Sequence, residues 1–554
     1  MAAAKARYKP FGSLCDAAGT GFKPMRLGLA CLALSALVIA GFWAWLGAPV
    51  AMPNSPLAPG EKLYCVSYAP FRAGQSPFDP DVHISAQQID EDLTRLARIT
   101  DCVRTYSIAY GQDQIAAIAA RHGLKVIQGL WLSSHADTNR EQIETAVALA
   151  NRYPDTIRAV VVGNEVLLRG EMSAEDLAAT IRAVKARVPV PVTYADVWEF
   201  WLRNREVAAA ADFITIHILP YWEDFPIAAR DAAAHVDAIR RRMVAAFPGK
   251  EVIIGEVGWP SAGRMREGAL PSPANQARVI EDVLALGKRE NFRVNVIEAF
   301  DQSWKRALEG TVGGHWGLLD DVAGAPKFAW GEAVSNHPRW RWQAAGGVVF
   351  ALIVFGAALV GARRVQSALW LAVGANAIAG GALIGWSIAN APVESLGLGG
   401  WLQSLGYVAV ALLVPPTLSA AVTRGTPLPR FSRLLGPSAG RVRSRLTRLA
   451  GVLMIATTLL ALLSALGLVF DPRYRDFPFA PLSAAAVPFF VHSIVVPRPL
   501  GRHGTAEWAA AAILALSVPY IVLNESLANW QSLWLCGALT LIAFSLARVR
   551  DAQS

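Results

Sequence analysis

Two glutamates stand out by their surroundings. Glu165 ends the apolar run 157–163, and Glu256 ends the apolar run 251–256. A carboxylate set beside an apolar strand is costly without a partner or a task. Glycoside hydrolysis is one chemistry that needs such a pair. One carboxyl group protonates the leaving oxygen, and the other attacks the anomeric carbon or activates water. In the covalent, configuration-retaining version the two groups lie roughly 5–5.5 Å apart. Glu165 and Glu256 are 91 positions apart in the chain. They meet only if the fold brings the ends of separate strands to one rim. A single glutamate at a strand end would be read as half of a structural ion pair. Two in these contexts are read as catalytic.

The elements that must position them are legible between residues 53 and 340. Short β-rich runs recur at 64–68, 102–106, 125–131, 157–163, 191–195, 213–217, 251–256 and 294–300. Helical patterns fill the gaps. One opens at Ser85-Ala-Gln-Gln88, a capping-box pattern, and carries Ile89, Leu93 and Leu96 on one face. Another opens at Ser173-Ala-Glu-Asp176. Alternating strands and helices imply a parallel sheet. Eight repeats in roughly 290 residues fit an α/β fold of the (β/α)8 TIM barrel type, with a doubly wound open sheet as the alternative. A barrel carries its chemistry at the C-terminal ends of its strands. Those ends hold Tyr68, Arg104, Tyr106, Trp131, Asn164, Glu165, Asp196, His217, Tyr221, Glu256, Trp259, Trp304 and Lys305. Aromatic rings and polar groups converging on one rim suit a sugar, whose ring faces stack and whose hydroxyls hydrogen-bond.

Val-Val-Gly-Asn-Glu-Val (161–166) and Gly-Glu-Val-Gly-Trp-Pro-Ser (255–261) resemble the two signatures of glycoside hydrolase family 17. That family includes β-1,3-glucanases, glucanosyltransferases and membrane-attached bacterial relatives. Tyr-Ala-Pro-Phe (68–71), Val-Arg-Thr-Tyr (103–106) and Ala-Phe-Asp-Gln-Ser-Trp-Lys (299–305) add to the resemblance, which covers about 55–335. It implies a (β/α)8 fold and a retaining double displacement. Glu165 is then the acid/base and Glu256 the nucleophile. Asn164 is expected to bond the sugar 2-hydroxyl, Tyr221 to reach the nucleophile, and Lys305 to lie near the acid/base. Tyr68, Trp131, Trp259 and Trp304 are candidate stacking platforms, and Arg104, Tyr106 and Asp196 further candidate substrate contacts. His217 replaces part of an Asn-rich stretch of plant members, and is expected to be a substrate ligand in preference to a packed histidine.

Composition places this domain in a larger chain. Hydrophobic residues are 53% and charged residues 17% of 554, against a usual charged share of roughly 25%. Mean hydropathy is +0.33. Residues 27–47 form an uncharged apolar run preceded by Lys5, Arg7, Lys9, Lys23 and Arg26. Its length favours a membrane anchor over a cleaved signal peptide, whose apolar region is roughly 7–15 residues. Seven further runs lie between 345 and 547, near 345–362, 368–389, 401–422, 449–470, 479–496, 506–523 and 529–547. The run from Phe479 is the weakest, interrupted by Pro481, Pro488 and His492. The expected order is a cytoplasmic arm 1–26, an anchor 27–47, an exported barrel 53–340, an all-α transmembrane bundle 345–547 and a cytoplasmic tail 548–554. Alternate loops carry the arginines (363 and 364, the set between 424 and 448, 498 and 502, then 548 and 550). The positive-inside rule then puts both termini in the cytoplasm and the barrel outside. The net charge of +9 thus sets topology, and no nucleic-acid partner is expected. The resemblance and the Ala/Arg-rich composition point to a bacterial inner membrane and its periplasm.

Five cysteines are too few for a disulfide scaffold. Cys65 and Cys102 start neighbouring strands on the exported side, which makes them a disulfide candidate. Cys15 is expected in the cytoplasm, and Cys31 and Cys536 in membrane spans. No metal-ligand spacing, P-loop or dinucleotide fingerprint is present, so no cofactor and no metal are expected. The expected partners are a β-glucan chain and the lipid bilayer, with a separate glucan synthase as a further one. Three functions compete: a β-1,3-glucan hydrolase or transglycosylase, an accessory to glucan synthesis or export, and a glucan-binding module without turnover. The cytoplasmic segments are too short to fold a nucleotide-sugar transferase, which disfavours direct synthesis. The presence of both glutamates disfavours pure binding.

Overall fold

The computed structural model describes residues 24–320, 324–360, 365–436, 442, 444–497, 501 and 503–550. Cys15, the arm 1–23, the tail 551–554 and Arg363, Arg364, Arg441, Arg443, Arg498 and Arg502 lie outside them. Contacts divide the chain into two compact units. One is Pro49–Asn336; the other joins the N-terminal helix to everything from His337 onward.

The first unit is a closed barrel of eight parallel strands in sequential order. They are β1 (Cys65–Ser67), β2 (Cys102–Arg104), β3 (Lys125–Leu130), β4 (Ile157–Asn164), β5 (Val192–Val197), β6 (Ile214–His217), β7 (Val252–Val257) and β8 (Val294–Val296). β1 pairs with β8 through Cys65–Asn295 and Val66–Val296, which closes the ring. The strands are buried on both faces, as parallel strands under helices must be, so they read as continuous apolar runs. β1 and β8 are only three residues long. The chain beyond each is already turning into the rim, which is why their apolar runs overstate their length.

The helices between strands begin where side chains can satisfy free backbone N–H groups. Ser85 accepts from the Gln88 N–H at the start of the helix Ala86–Leu96, and Ser173 accepts from the Asp176 N–H at the start of Ala174–Lys185. Only half of the expected box forms at Ser85, because the Gln88 side chain turns away: its Oε1 accepts from Gln75 Nε2 at 3.2 Å and its Nε2 donates to the Pro70 carbonyl at 2.6 Å. Ile89, Leu93 and Leu96 are buried against the barrel. Cys65 and Cys102 are joined by a disulfide, with 4.4 Å between their Cα atoms. The ends of the unit also meet: Val50 and Val334 exchange two backbone hydrogen bonds, at 2.9 and 3.0 Å.

The second unit is helical. Among the described residues, seven of its helices are long and apolar enough to cross a membrane, from Met25–Leu46 to Trp530–Ala547. The helix Phe479–Val495 is apolar but has 17 residues and falls short of that length. It nevertheless links two ends of the bundle. Phe479 packs on Trp386 and Trp534 at ring distances of 5.2 Å, while His492 Nε2 meets the Thr426 carbonyl at 2.8 Å. Between the helices Trp340–Leu359 and Leu369–Glu394 the backbones approach at Gly347 and Gly381. A Cβ on Gly347 would stand 2.2 Å from the Gly381 carbonyl. Small residues allow such contacts between apolar helices. Cys31 and Cys536 are buried thiols in this unit.

Candidate active site

β4 and β7 deliver the two glutamates. At the end of β4, Gly163 has φ +88° and Glu165 φ +50°. The register against β5 breaks between Val161 and Asn164. Glycine adopts such a φ freely, whereas a Cβ at Gly163 would also meet Val166 at 2.6 Å. The Gly-Asn-Glu sequence therefore makes a sharp turn that aims Asn164 and Glu165 at the barrel mouth. The Glu165 N–H holds the Ala195 carbonyl of β5 at 2.8 Å. Glu256 lies within β7 and is buried.

One oxygen of Glu165 and one of Glu256 lie within 4.8 Å of each other, with a nitrogen of His217 inside the same distance of both. That separation matches a retaining pair and is shorter than the roughly 6.5–9.5 Å that accommodates an intervening water in an inverting pair. Glu256 Oε1 accepts from Arg104 Nη1 at 2.5 Å and from the Tyr106 hydroxyl at 2.9 Å. The second guanidinium nitrogen of Arg104 donates to Asn164 Oδ1, and the guanidinium lies 4.1 Å over the Tyr106 ring. Arg104 thus fixes the nucleophile candidate and the neighbour of the acid candidate with one planar fork. Burial would push the Glu256 carboxyl up, but the charges of His217, Arg104 and Lys305 outweigh it and hold the group below the ordinary carboxylate range. An ionised Glu256 is what nucleophilic attack requires.

Several expected contacts are placed differently. Tyr68 and Trp259 are fully buried and cannot stack on a sugar: the Tyr68 hydroxyl donates to Asp92 at 3.0 Å and Trp259 Nε1 to the Leu270 carbonyl at 3.0 Å. Asp196 is also fully buried. It accepts from the Tyr194 hydroxyl and the Val197 N–H on its own strand and from the Leu168 N–H at 3.4 Å, so it braces the loop after β4. Burial pushes its carboxyl up to about 6. The Tyr221 hydroxyl spends its single proton on the Arg264 carbonyl at 2.9 Å. The tyrosine that donates to Glu256 is Tyr106. Lys305 pairs with Glu298 at 2.8 Å in place of the acid/base candidate. His217, expected as a substrate ligand, is fully buried, with Nδ1 2.8 Å from Glu165 Oε1. Trp131 and Trp304 remain half-buried at the rim. The Arg169 guanidinium covers one face of Trp131 at 4.1 Å, and Trp304 meets Phe71 and Phe78 edge-on at 6.2 and 5.7 Å.

Sequence reasoning missed Glu298. Burial raises its carboxyl to about 7 despite the Lys305 charge beside it. Its signal was an acid inside the apolar run Val-Ile-Glu-Ala-Phe (296–300). Trp222 and Trp316, stacked at 15° with 6.5 Å between rings, were also missed, because only folding brings 222 and 316 together. Glu165, His217 and Glu256 are close enough to share a metal ion. However, Glu256 Oε1 already takes two donors, one a guanidinium, and a cation there would face the Arg104 charge.

A family model described as the BtgE/BtgC glycoside hydrolase domain matches residues 65–317. The chain is similar to a glucan 1,3-beta-glucosidase of Candida albicans, 26% identical over 253 residues, which are 41% of this chain and 81% of that protein. It is similar to one of Schizosaccharomyces pombe, 27% identical over 230 residues, 39% of this chain and 72% of that protein. Among solved structures, a glycoside hydrolase family 17 beta-1,3-glucanosyltransferase from Rhizomucor miehei is 27% identical, covering 48% of this chain and 97% of its own, with a TM-score of 0.43.

Proposed function

The barrel of this chain is a glycoside hydrolase of the family 17 type, and from that premise we propose that it cuts and rejoins β-1,3-glucan by a covalent double displacement outside a bacterial inner membrane. The enzyme acts on β-1,3-glucan; the single observation that carries the finer reading is the Glu165–Glu256 separation, with Arg104 and Tyr106 fixing Glu256.

Glu256 attacks the anomeric carbon while Glu165 gives its proton to the departing glycosidic oxygen. Glu165, now a carboxylate, then takes a proton from water or from a sugar hydroxyl as that oxygen displaces Glu256. Arg104 and Tyr106 keep Glu256 ionised and oriented for attack. The amide nitrogen of Asn164 makes no hydrogen bond among the described residues, since Arg104 occupies only its oxygen. It is therefore disposed to donate to the sugar 2-hydroxyl, a bond that strengthens in the transition state. Trp131 and Trp304 supply stacking faces at the rim.

The helical unit supports a membrane location. Trp43, near the end of the first helix, packs on Trp386 at 6.3 Å, and Trp386 meets Trp530 at 6.3 Å. Phe479 and Trp530 start their helices, so one end of the bundle is aromatic. At the other end Arg26 lies near the start of the first helix, Arg430 donates to the His503 carbonyl at 3.0 Å and Arg548 to the Ser493 carbonyl at 3.3 Å. Aromatic residues favour bilayer interfaces and arginines the cytoplasmic side. The reading places the barrel in the periplasm and both helix-bundle termini in the cytoplasm, with Phe479–Val495 as an eighth span. A separate glucan synthase is the partner this placement would serve.

The test is mass spectrometry of products formed by the detergent-solubilised full chain from a reducing-end-labelled β-1,3-gluco-oligosaccharide, beside the Glu256→Gln variant. Products both shorter and longer than the substrate, absent in the variant, are the expected result. Shorter products alone make the enzyme a hydrolase. No products from the wild type overturn the proposal.

A further inference from the structure

We infer that His217 is a positioning residue that couples the two carboxylates and sets where on the pH scale the site works. The inference rests on the glycosidase reading above and deepens it. His217 ends β6 and pairs in register with Glu256 of β7. Room for its ring comes from the residue before Glu256: a Cβ on Gly255 would stand 3.2 Å from His217 Cδ2 and 3.4 Å from Nε2. Nδ1 lies 2.8 Å from Glu165 Oε1, a hydrogen bond. Nε2 lies 3.5 Å from Glu256 Oε1 and has no hydrogen-bond partner among the described residues. Nδ1 therefore carries the proton that the ring keeps when neutral, and Nε2 is the nitrogen that gains and loses one.

The ring is fully buried, so it acts on substrate only through the glutamates. The groups that face it are Glu165 from the end of β4, Asp196 from β5, Glu256 from β7 and the opposing cation Arg104 from β2. Burial disfavours the imidazolium, but the Glu256 charge and the bond to Glu165 prevail, and the ring titrates above its ordinary value. As a cation 3.5 Å from Glu256 Oε1 it favours the Glu256 anion. The acidic limb of the pH–rate profile, which follows ionisation of the nucleophile, is thereby held at low pH.

Asparagine keeps an N–H for Glu165 and removes the charge. His217→Asn is expected to move the acidic limb of the kcat/KM profile toward alkaline pH, by about 1–3 units, and to keep more turnover at its optimum than His217→Ala. A ring that only fills space would lower the rate without moving that limb. A second readout is independent of turnover: 15N NMR of ring-labelled histidine in the full chain in detergent, with the His217 signal identified by its absence in His217→Asn. The ring is expected to titrate above the ordinary histidine value in the wild type and lower in Glu256→Gln. An unmoved acidic limb, or a ring titration that Glu256→Gln leaves unchanged, overturns the inference. If the wild type turns over no β-1,3-glucan, the glycosidase reading falls, while the NMR titration still decides whether His217 couples the pair.

Discussion

Arg104 Nη1 donates to Glu256 Oε1 at 2.5 Å while the other arm of the same guanidinium holds Asn164. The fork ties β2 to β4 and β7 across the mouth. Lysine carries the charge but not the fork. Arg104→Lys should cut kcat roughly 10- to 100-fold, as expected for one lost charge-assisted hydrogen bond of about 1.5–3 kcal/mol. Steady-state kinetics on a labelled laminari-oligosaccharide would check this, and an unchanged kcat would remove the fork from the mechanism.

Tyr106 and Tyr221 should separate cleanly. Tyr106→Phe removes a donor to Glu256 and is expected to lower kcat about 10-fold with the fold intact. Tyr221→Phe removes a bond to the Arg264 carbonyl. It should cost about 1 kcal/mol of stability and leave the chemical step nearly unchanged. Paired kinetics and thermal melts of both variants read the difference. A larger kcat loss in Tyr221→Phe would reverse the assignment.

Asp196 makes stability depend on pH. Its folded carboxyl titrates at about 6, against an ordinary 3.8. Between those values the folded chain keeps a proton that the unfolded chain releases, so stability falls as pH rises from 4 to 6. The full effect is about 3 kcal/mol. Asp196→Asn cannot ionise. Its melting temperature relative to the wild type should therefore climb across pH 4–6 and level off above. A constant difference across that range would contradict the raised carboxyl.

The Cys65–Cys102 disulfide closes a loop with a sequence separation of 37. On the chain-entropy account such a loop contributes about 3–4 kcal/mol. The double Cys→Ala variant should melt roughly 5–10 °C lower. Thiol titration of the denatured wild type should find three free thiols of the five cysteines, and five would disprove the bridge.

The strands were legible because each is a buried apolar run, and the two glutamates because each breaks such a run at its end. The rim was less legible. Tyr68 and Trp259 lie at strand ends as expected, yet their side chains turn into the packing beneath the mouth, where Asp92 and the Leu270 carbonyl take their polar tips. Which tyrosine reaches Glu256 depends on barrel closure: β2 stands across the ring from β7, a relation no spacing records. The pairing of Lys305 with Glu298 was hidden for a similar reason, since the turn after β8 folds the lysine back onto the segment that has just left the strand. In the helical unit, apolar length located the helices, including the weakest run from Phe479, whose prolines and His492 gave no hint that neighbours hold it at both ends.

The pairing of Val50 with Val334 has a practical side. A domain whose entry and exit lie side by side can be lifted out of a host chain, or dropped into one, without dragging the flanking elements apart. Here the flanks are consecutive helices, and Gly47 leaves no space for a Cβ against Trp340. A short loop from 47 to 338 should suffice to express the helices as a self-contained piece, and residues 49–336 form the complementary cassette.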